Sequence, residues 1–194
     1  MNFDEDLLLE QRYTELCEKL ASHRLPAWDA LPDIELYMDQ VVAVTQKALS
    51  LYSSDDEENR IITPSIINNY VKLKVIPAPE KKRYNKEHLA YLIMICILKQ
   101  TLSISSIVKI ISLQLEKKSI MQLYNEFCVI YENVIPFVSM DDLGWDIEEE
   151  TQIANLEGTD DMNAFILKSA ILSTAGKFIC EGVLSAVNNN QDKG

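Results

Sequence analysis

A mostly α-helical protein with one short β hairpin near its middle is what the sequence predicts, and three observations predict it. Apolar residues recur at helical spacing along most of the chain, a proline-rich stretch from Val75 to Tyr84 interrupts that spacing, and charge is segregated along the chain instead of mixed. The 194 residues are 47% apolar with five Gly and six Pro, which is enough apolar material for a core and too little Gly and Pro for a linker or fibre. One small domain with helical extensions fits this length.

Residues 3 to 21 place Phe3, Leu7, Leu8, Leu16 and Leu20 at helical spacing, and Pro26 and Pro32 keep that first helix short. Asp33 after Pro32 is a plausible N-cap for a second helix, with Ile34, Met38, Val41, Val42, Thr45, Leu49 and Tyr52 on one face and an end near Ser53. Residues 53 to 59 are polar and acidic without apolar periodicity and predict an exposed loop. Thr63-Pro64-Ser65 then starts a helix to Lys74, with Ser65 as the expected cap. Its projection puts Ile66, Ile67, Tyr70 and Val71 on a core side and Ser65, Asn68, Asn69 and Lys72 on the other.

Val75 to Tyr84 carries too much proline for a helix and suits a hairpin tipped by Lys81, Lys82 and Arg83. Asn85 is the expected cap of a helix that is apolar nearly all round through Gln100 and therefore central, and Ser103 caps the next, with Ile104, Ile107, Val108, Ile111 and Leu115 as its stripe. A further helix from about Ser119 stops at Pro136. Asp141 to Asp161, with nine acids, is an expected exposed loop, and a last helix from about Asp160 to Val187 precedes a frayed Asn-rich tail.

Residues 1–57 sum to −9, residues 58–118 to +7 and residues 119–194 to −10, which gives the overall −12. These segments are the expected divisions: an N-terminal helical segment, a central nucleic-acid-binding domain and an acidic helical region for dimerisation or effector response. The total alone argues against nucleic acid, because two polyanions repel, but a basic centre between acidic flanks points to a polyanion-binding module. The alternative is that the lysines are solvated and pair with the flanking acids.

Helix, basic hairpin, helix, helix is the order of a winged helix-turn-helix, in which a polar helix face enters the DNA major groove and the hairpin straddles phosphates. Asn68 and Asn69 match the donor and acceptor of adenine, and such a pair is worth about 1–3 kcal/mol of discrimination. Ser65 and Lys72 flank them, Lys81, Lys82 and Arg83 supply phosphate contacts, and Lys74 and Lys86 add to the field. Tyr70 reads first as a core ring with its hydroxyl at the rim and, as the alternative that keeps it among the DNA-binding candidates, as a phosphate ligand. The surface asparagines have a plain alternative as solvated side chains.

The run Ile62 to Pro77 (ITPSIINNYVKLKVIP), then Arg83 to Leu89 (RYNKEHL) and Ile93 to Lys99 (IMICILK), resembles the bacterial domain-of-unknown-function family DUF1836 over most of residues 24 to 130. Its segment from about 62 to 114 is similar in turn to the winged helix-turn-helix of MerR-type regulators. Tyr70, Val75-Ile76 and Arg83-Tyr84 fit the MerR pattern, whereas Asn68 stands where Arg is usual and Lys74 where Gly is usual. The resemblance implies double-stranded DNA as partner and transcription regulation as function.

Cys17, Cys96, Cys128 and Cys180 stand far apart in apolar runs and read as reduced core residues of a cytoplasmic protein, and the acidic N-terminus lacks a secretory signal. No apolar run suits a membrane span. His23 and His88 are the only histidines, no pair has metal-ligand spacing, and no Walker, G-x-G-x-x-G or G-x-S-x-G sequence occurs. The expectation is a non-enzyme without cofactor or metal. Excess apolar surface on the last helix predicts a homodimer, and the C-terminal helices are the expected place for a small-molecule or protein effector. A protein-interaction adaptor that keeps the fold without binding DNA is the alternative function.

Overall fold

The computed structural model describes residues 3–52, 60–138 and 162–191. Among these, seven α-helices occur: α1 (Phe3–Ser22), α2 (Met38–Ala48), α3 (Pro64–Lys72), α4 (Lys86–Leu98), α5 (Ile104–Leu115), α6 (Ile120–Val138) and α7 (Met162–Gln191). Short 3-10 turns lie at Trp28–Ala30 and Ser50–Tyr52. The chain divides into a compact unit of residues 23–130 and a second unit of residues 1–22 with 131–194, so that α6 begins in one and ends in the other. These divisions fall elsewhere than the expected breaks after residues 57 and 118, and they join residues 23–57 to the basic segment.

In unit 23–130, α4 is the centre. Every residue from His88 to Leu98 except Tyr91 is buried, as expected of a helix that is apolar all round. Each buried Leu or Ile there contributes about 1.5–3 kcal/mol over an exposed one. Asn85 caps the helix, its Oδ1 accepting the His88 N–H at 3.3 Å. Ser103 caps α5 in the same way, accepting from the Ser106 N–H at 3.2 Å. α2 packs on both α3 and α4. The Tyr124 hydroxyl on α6 donates to the Pro26 carbonyl at 2.8 Å, and Trp28 meets the same ring edge-on at 6.2 Å, which fastens the start of the unit to its last helix.

In the other unit α1 packs along α7, where Leu167, Ala170, Ile171, Ala175 and Ile179 are buried on one helix and Leu16, Cys17 and Leu20 on the other. Gly182 permits the close approach: a Cβ there would lie 2.6 Å from Leu16 Cδ1.

Several sequence expectations are corrected. No strand occurs among the described residues, and the expected β wing is reduced to two isolated bridges, Leu36 with Tyr84 and Glu80 with Arg83. Pro77 and Pro79 have no N–H to offer a longer ladder. Asp33 caps nothing. Segment 33–37 does not join α2, because Leu36 is buried and exchanges backbone hydrogen bonds with Tyr84 at 2.8 and 2.9 Å. α2 starts only after Tyr37, whose N–H donates to Gln40 Oε1 at 2.9 Å. α6 runs two residues past Pro136, which in the last turn removes a single hydrogen bond. α7 continues to Gln191 instead of fraying after Val187. Cys17, Cys96 and Cys128 are buried as expected, but Cys180 is exposed. The loops expected at 53–59 and 141–161 lie outside the described residues, and α7 is described from Met162 onward.

Candidate nucleic-acid interface

Local chemistry shapes α3 before packing does. Thr63, not Ser65, is its N-cap: extended backbone lets Thr63 Oγ1 accept the Ile66 N–H at 3.3 Å, and Pro64 fills the first helical position, where its missing N–H is no loss. Ser65 is thereby released to the surface. Ile67 and Tyr70 are buried, and Ser65, Asn68, Asn69 and Lys72 are all exposed at i, i+3, i+4 and i+7 on one face. Tyr70 is only 6% exposed, and burial pushes its hydroxyl up to about 12. It is a core ring, the first of its two expected readings, and it does not share the exposed face of Asn68 and Lys72.

The exit from α3 is a Schellman turn. Val75 N–H donates to the Tyr70 carbonyl at 2.9 Å and Lys74 N–H to the Val71 carbonyl at 3.0 Å, around Lys74 at φ 56°. That is the left-handed conformation for which Gly is the usual residue, and here a lysine adopts it. Leu73, beside it, is an apolar side chain left 56% exposed.

The next turn repeats the theme. Arg83 N–H donates to the Glu80 carbonyl at 2.8 Å, and Lys81 and Lys82 between them have φ of 49° and 64°. Two successive left-handed residues are what a type I′ hairpin turn demands, and Asn-Gly normally supplies them. Lys74, Lys81 and Lys82 are the non-glycine residues of positive φ among those described. All three are exposed and all belong to the predicted site. Strain of this kind costs about 1–3 kcal/mol per residue and gathers at functional positions.

Arg83 is placed differently. Its Nη1 lies 3.4 Å from Glu35 Oε2, and its guanidinium carbon lies 5.1 Å from the centroid of Tyr37. Lys86, expected to add to the basic field, is instead drawn inward, with its side chain only 14% exposed, Asp33 at 3.8 Å and Trp28 at 5.7 Å. Among the described residues no acid pairs with Lys72, Lys74, Lys81 or Lys82. The structure therefore brings Ser65, Asn68, Asn69 and Lys72 onto one helix face, sets Lys74 at its end and Lys81 and Lys82 on a turn tip, and ties Arg83 to segment 33–37. The sequence did not reveal Glu35 and Tyr37 as partners of Arg83, because they are 48 and 46 residues distant and their only local signal is helical spacing.

Beneath the turn, His88 is buried and completes the α4 cap: its Nδ1 accepts the Asn85 N–H at 3.1 Å, and Tyr84 meets its ring edge-on at 5.3 Å. Burial holds its pKa below the usual 6.5, against the raising influence of the Ala78 and Pro77 carbonyls and of Glu87. Among the described residues, no group of three or more His, Cys, Asp or Glu is arranged to hold a metal ion, and no helix is long and apolar enough to cross a membrane.

The unit at residues 23–130 defines a helical domain built on a central helix buried on all sides from Leu92 to Leu98, with an exposed polar and basic helix face and a strained cationic turn. The family model described as Domain of unknown function (DUF1836) matches residues 26–127, nearly the bounds of that unit, and the chain belongs to this family. No curated protein and no solved structure matches the chain.

Proposed function

We propose that the protein is a non-enzymatic, cytoplasmic DNA-binding regulator of transcription. In it α3 is the recognition helix of a MerR-like winged helix-turn-helix, and the Glu80–Arg83 turn is its reduced wing. The observation that carries this is the exposed face Ser65, Asn68, Asn69 and Lys72, continued by a lysine, Lys74, that accepts a left-handed backbone. Asn68 and Asn69 read base edges by paired donor and acceptor, and Lys72, Lys74, Lys81 and Lys82 contact phosphates. Double-stranded DNA is the partner, and a homodimer reads two half-sites while the C-terminal helices receive an effector. An electrophoretic shift with genomic fragments tests it: binding is expected to weaken steeply with salt, and Lys81→Ala with Lys82→Ala to lower the salt slope by about two. Binding indifferent to those two substitutions would count against the assignment.

A protein-interaction adaptor is the second reading, and charge favours it. Within unit 23–130, 13 basic side chains face 12 acidic ones, a net of +1, so the +7 of the central segment is largely offset by its own domain. Capture of a protein partner through α3, abolished by Leu73→Asp while DNA is ignored, is its expected signature.

A further inference from the structure

Segment 33–37 is held against the outgoing arm of the cationic turn by two backbone hydrogen bonds between Leu36 and Tyr84. That registration sets Glu35 and Tyr37 on Arg83 and Asp33 on Lys86. A carboxylate and a phosphate make the same demand of a guanidinium, so Glu35 occupies donors that a phosphate would use. The pair is open, with side chains 43% and 56% exposed and a single N···O distance of 3.4 Å, and such a contact exchanges readily. Tyr37 engages the face of the guanidinium and leaves its edge donors free.

From this geometry we infer that segment 33–37 carries a built-in competitor for nucleic-acid phosphate: Glu35 holds Arg83 in the free protein and yields it to a phosphate on binding. Tyr37 keeps the guanidinium in place in both states. The inference rests on the DNA-binding function proposed above and adds its regulation, since any event that neutralises or displaces Glu35 raises affinity.

Fluorescence anisotropy with a labelled, mixed-sequence DNA duplex tests it on the full chain. Glu35→Gln is expected to tighten binding roughly two- to fivefold near 0.1 M salt and to steepen the salt dependence by up to about one phosphate equivalent. The gain should vanish in an Arg83→Gln background, and Tyr37→Leu should weaken binding. Glu35 is exposed, and unchanged thermal unfolding of Glu35→Gln verifies that only the charge was removed. If the parent binds and Glu35→Gln binds equally, the competitor is refuted and DNA binding stands. An equal gain with and without Arg83 also refutes it, leaving general repulsion as the cause. If neither parent nor Glu35→Gln binds, both the competitor and the DNA-binding function fall.

Discussion

Lys74, Lys81 and Lys82 hold backbone conformations that a Cβ disfavours, and their chemistry cannot be the reason they fit. Lys74→Gly is expected to stabilise the protein by about 1 kcal/mol, because it relieves the Schellman position without touching a buried contact. A raised urea midpoint with an unchanged slope is the check. The paired change Lys81→Asn with Lys82→Gly should likewise raise the thermal midpoint while weakening DNA binding, which separates a turn kept cationic for function from one that is merely tolerated. Thr45 has another kind of strain: its hydroxyl is fully buried on α2 with no hydrogen-bond partner among the described residues. Thr45→Val keeps the shape, discards the orphaned group and should gain on the order of 1 kcal/mol in chemical unfolding.

The N-terminus of α4 ties the turn to the core and makes stability depend on pH. Both histidines have pKa values below 6.5 in the fold, His88 by burial and His23 by burial with Arg24 adding to it against the raising Ala48 backbone. A depressed imidazole contributes stability that is present above the unfolded value of 6.5 and is lost as pH falls from there through the folded value. Unfolding free energy should therefore drop between about pH 7 and pH 5. His88→Gln, which keeps a side-chain acceptor for the Asn85 N–H, should flatten part of that drop in urea titrations at the two ends of the range. At the α1–α7 contact, Gly182→Val drives a side chain into Leu16 and is expected to cost about 1–3 kcal/mol. A smaller cost in a Leu16→Ala background would identify the clash as the cause. Elements such as these were legible to different degrees. α4 and α5 announced themselves by their Asn85 and Ser103 caps, and the apolar pattern of α4 is buried as expected. Of the stripe expected on α5, only Ile107 and Ile111 are buried, with Ile110 and Gln114 buried beside them and Ile104, Val108 and Leu115 partly exposed. The start of α2 was misread because Ile34 and Met38 keep helical spacing by coincidence, while the backbone between them is claimed by Tyr84.

Charge that is segregated along the sequence is partly mixed in the compact unit at 23–130, since among the described residues Asp29, Asp33, Glu35 and Asp39 belong to the same unit as the basic centre. In the proposed function, the salt dependence therefore turns on which cations stand clear of acids, not on how many there are. Composition and periodicity were sufficient for a mostly helical protein, for the buried α4 and for the polar face of α3, because burial and helical geometry act over a few residues and leave a periodic trace. The inward side of Tyr70 followed from the same periodicity and the Thr63 cap from local chemistry, whereas that Glu35 and Tyr37 reached Arg83, while no described acid pairs with Lys81 or Lys82, was settled by contacts between distant segments. Such contacts follow from how helices and turns meet in space, and nothing in the local order of residues encodes them.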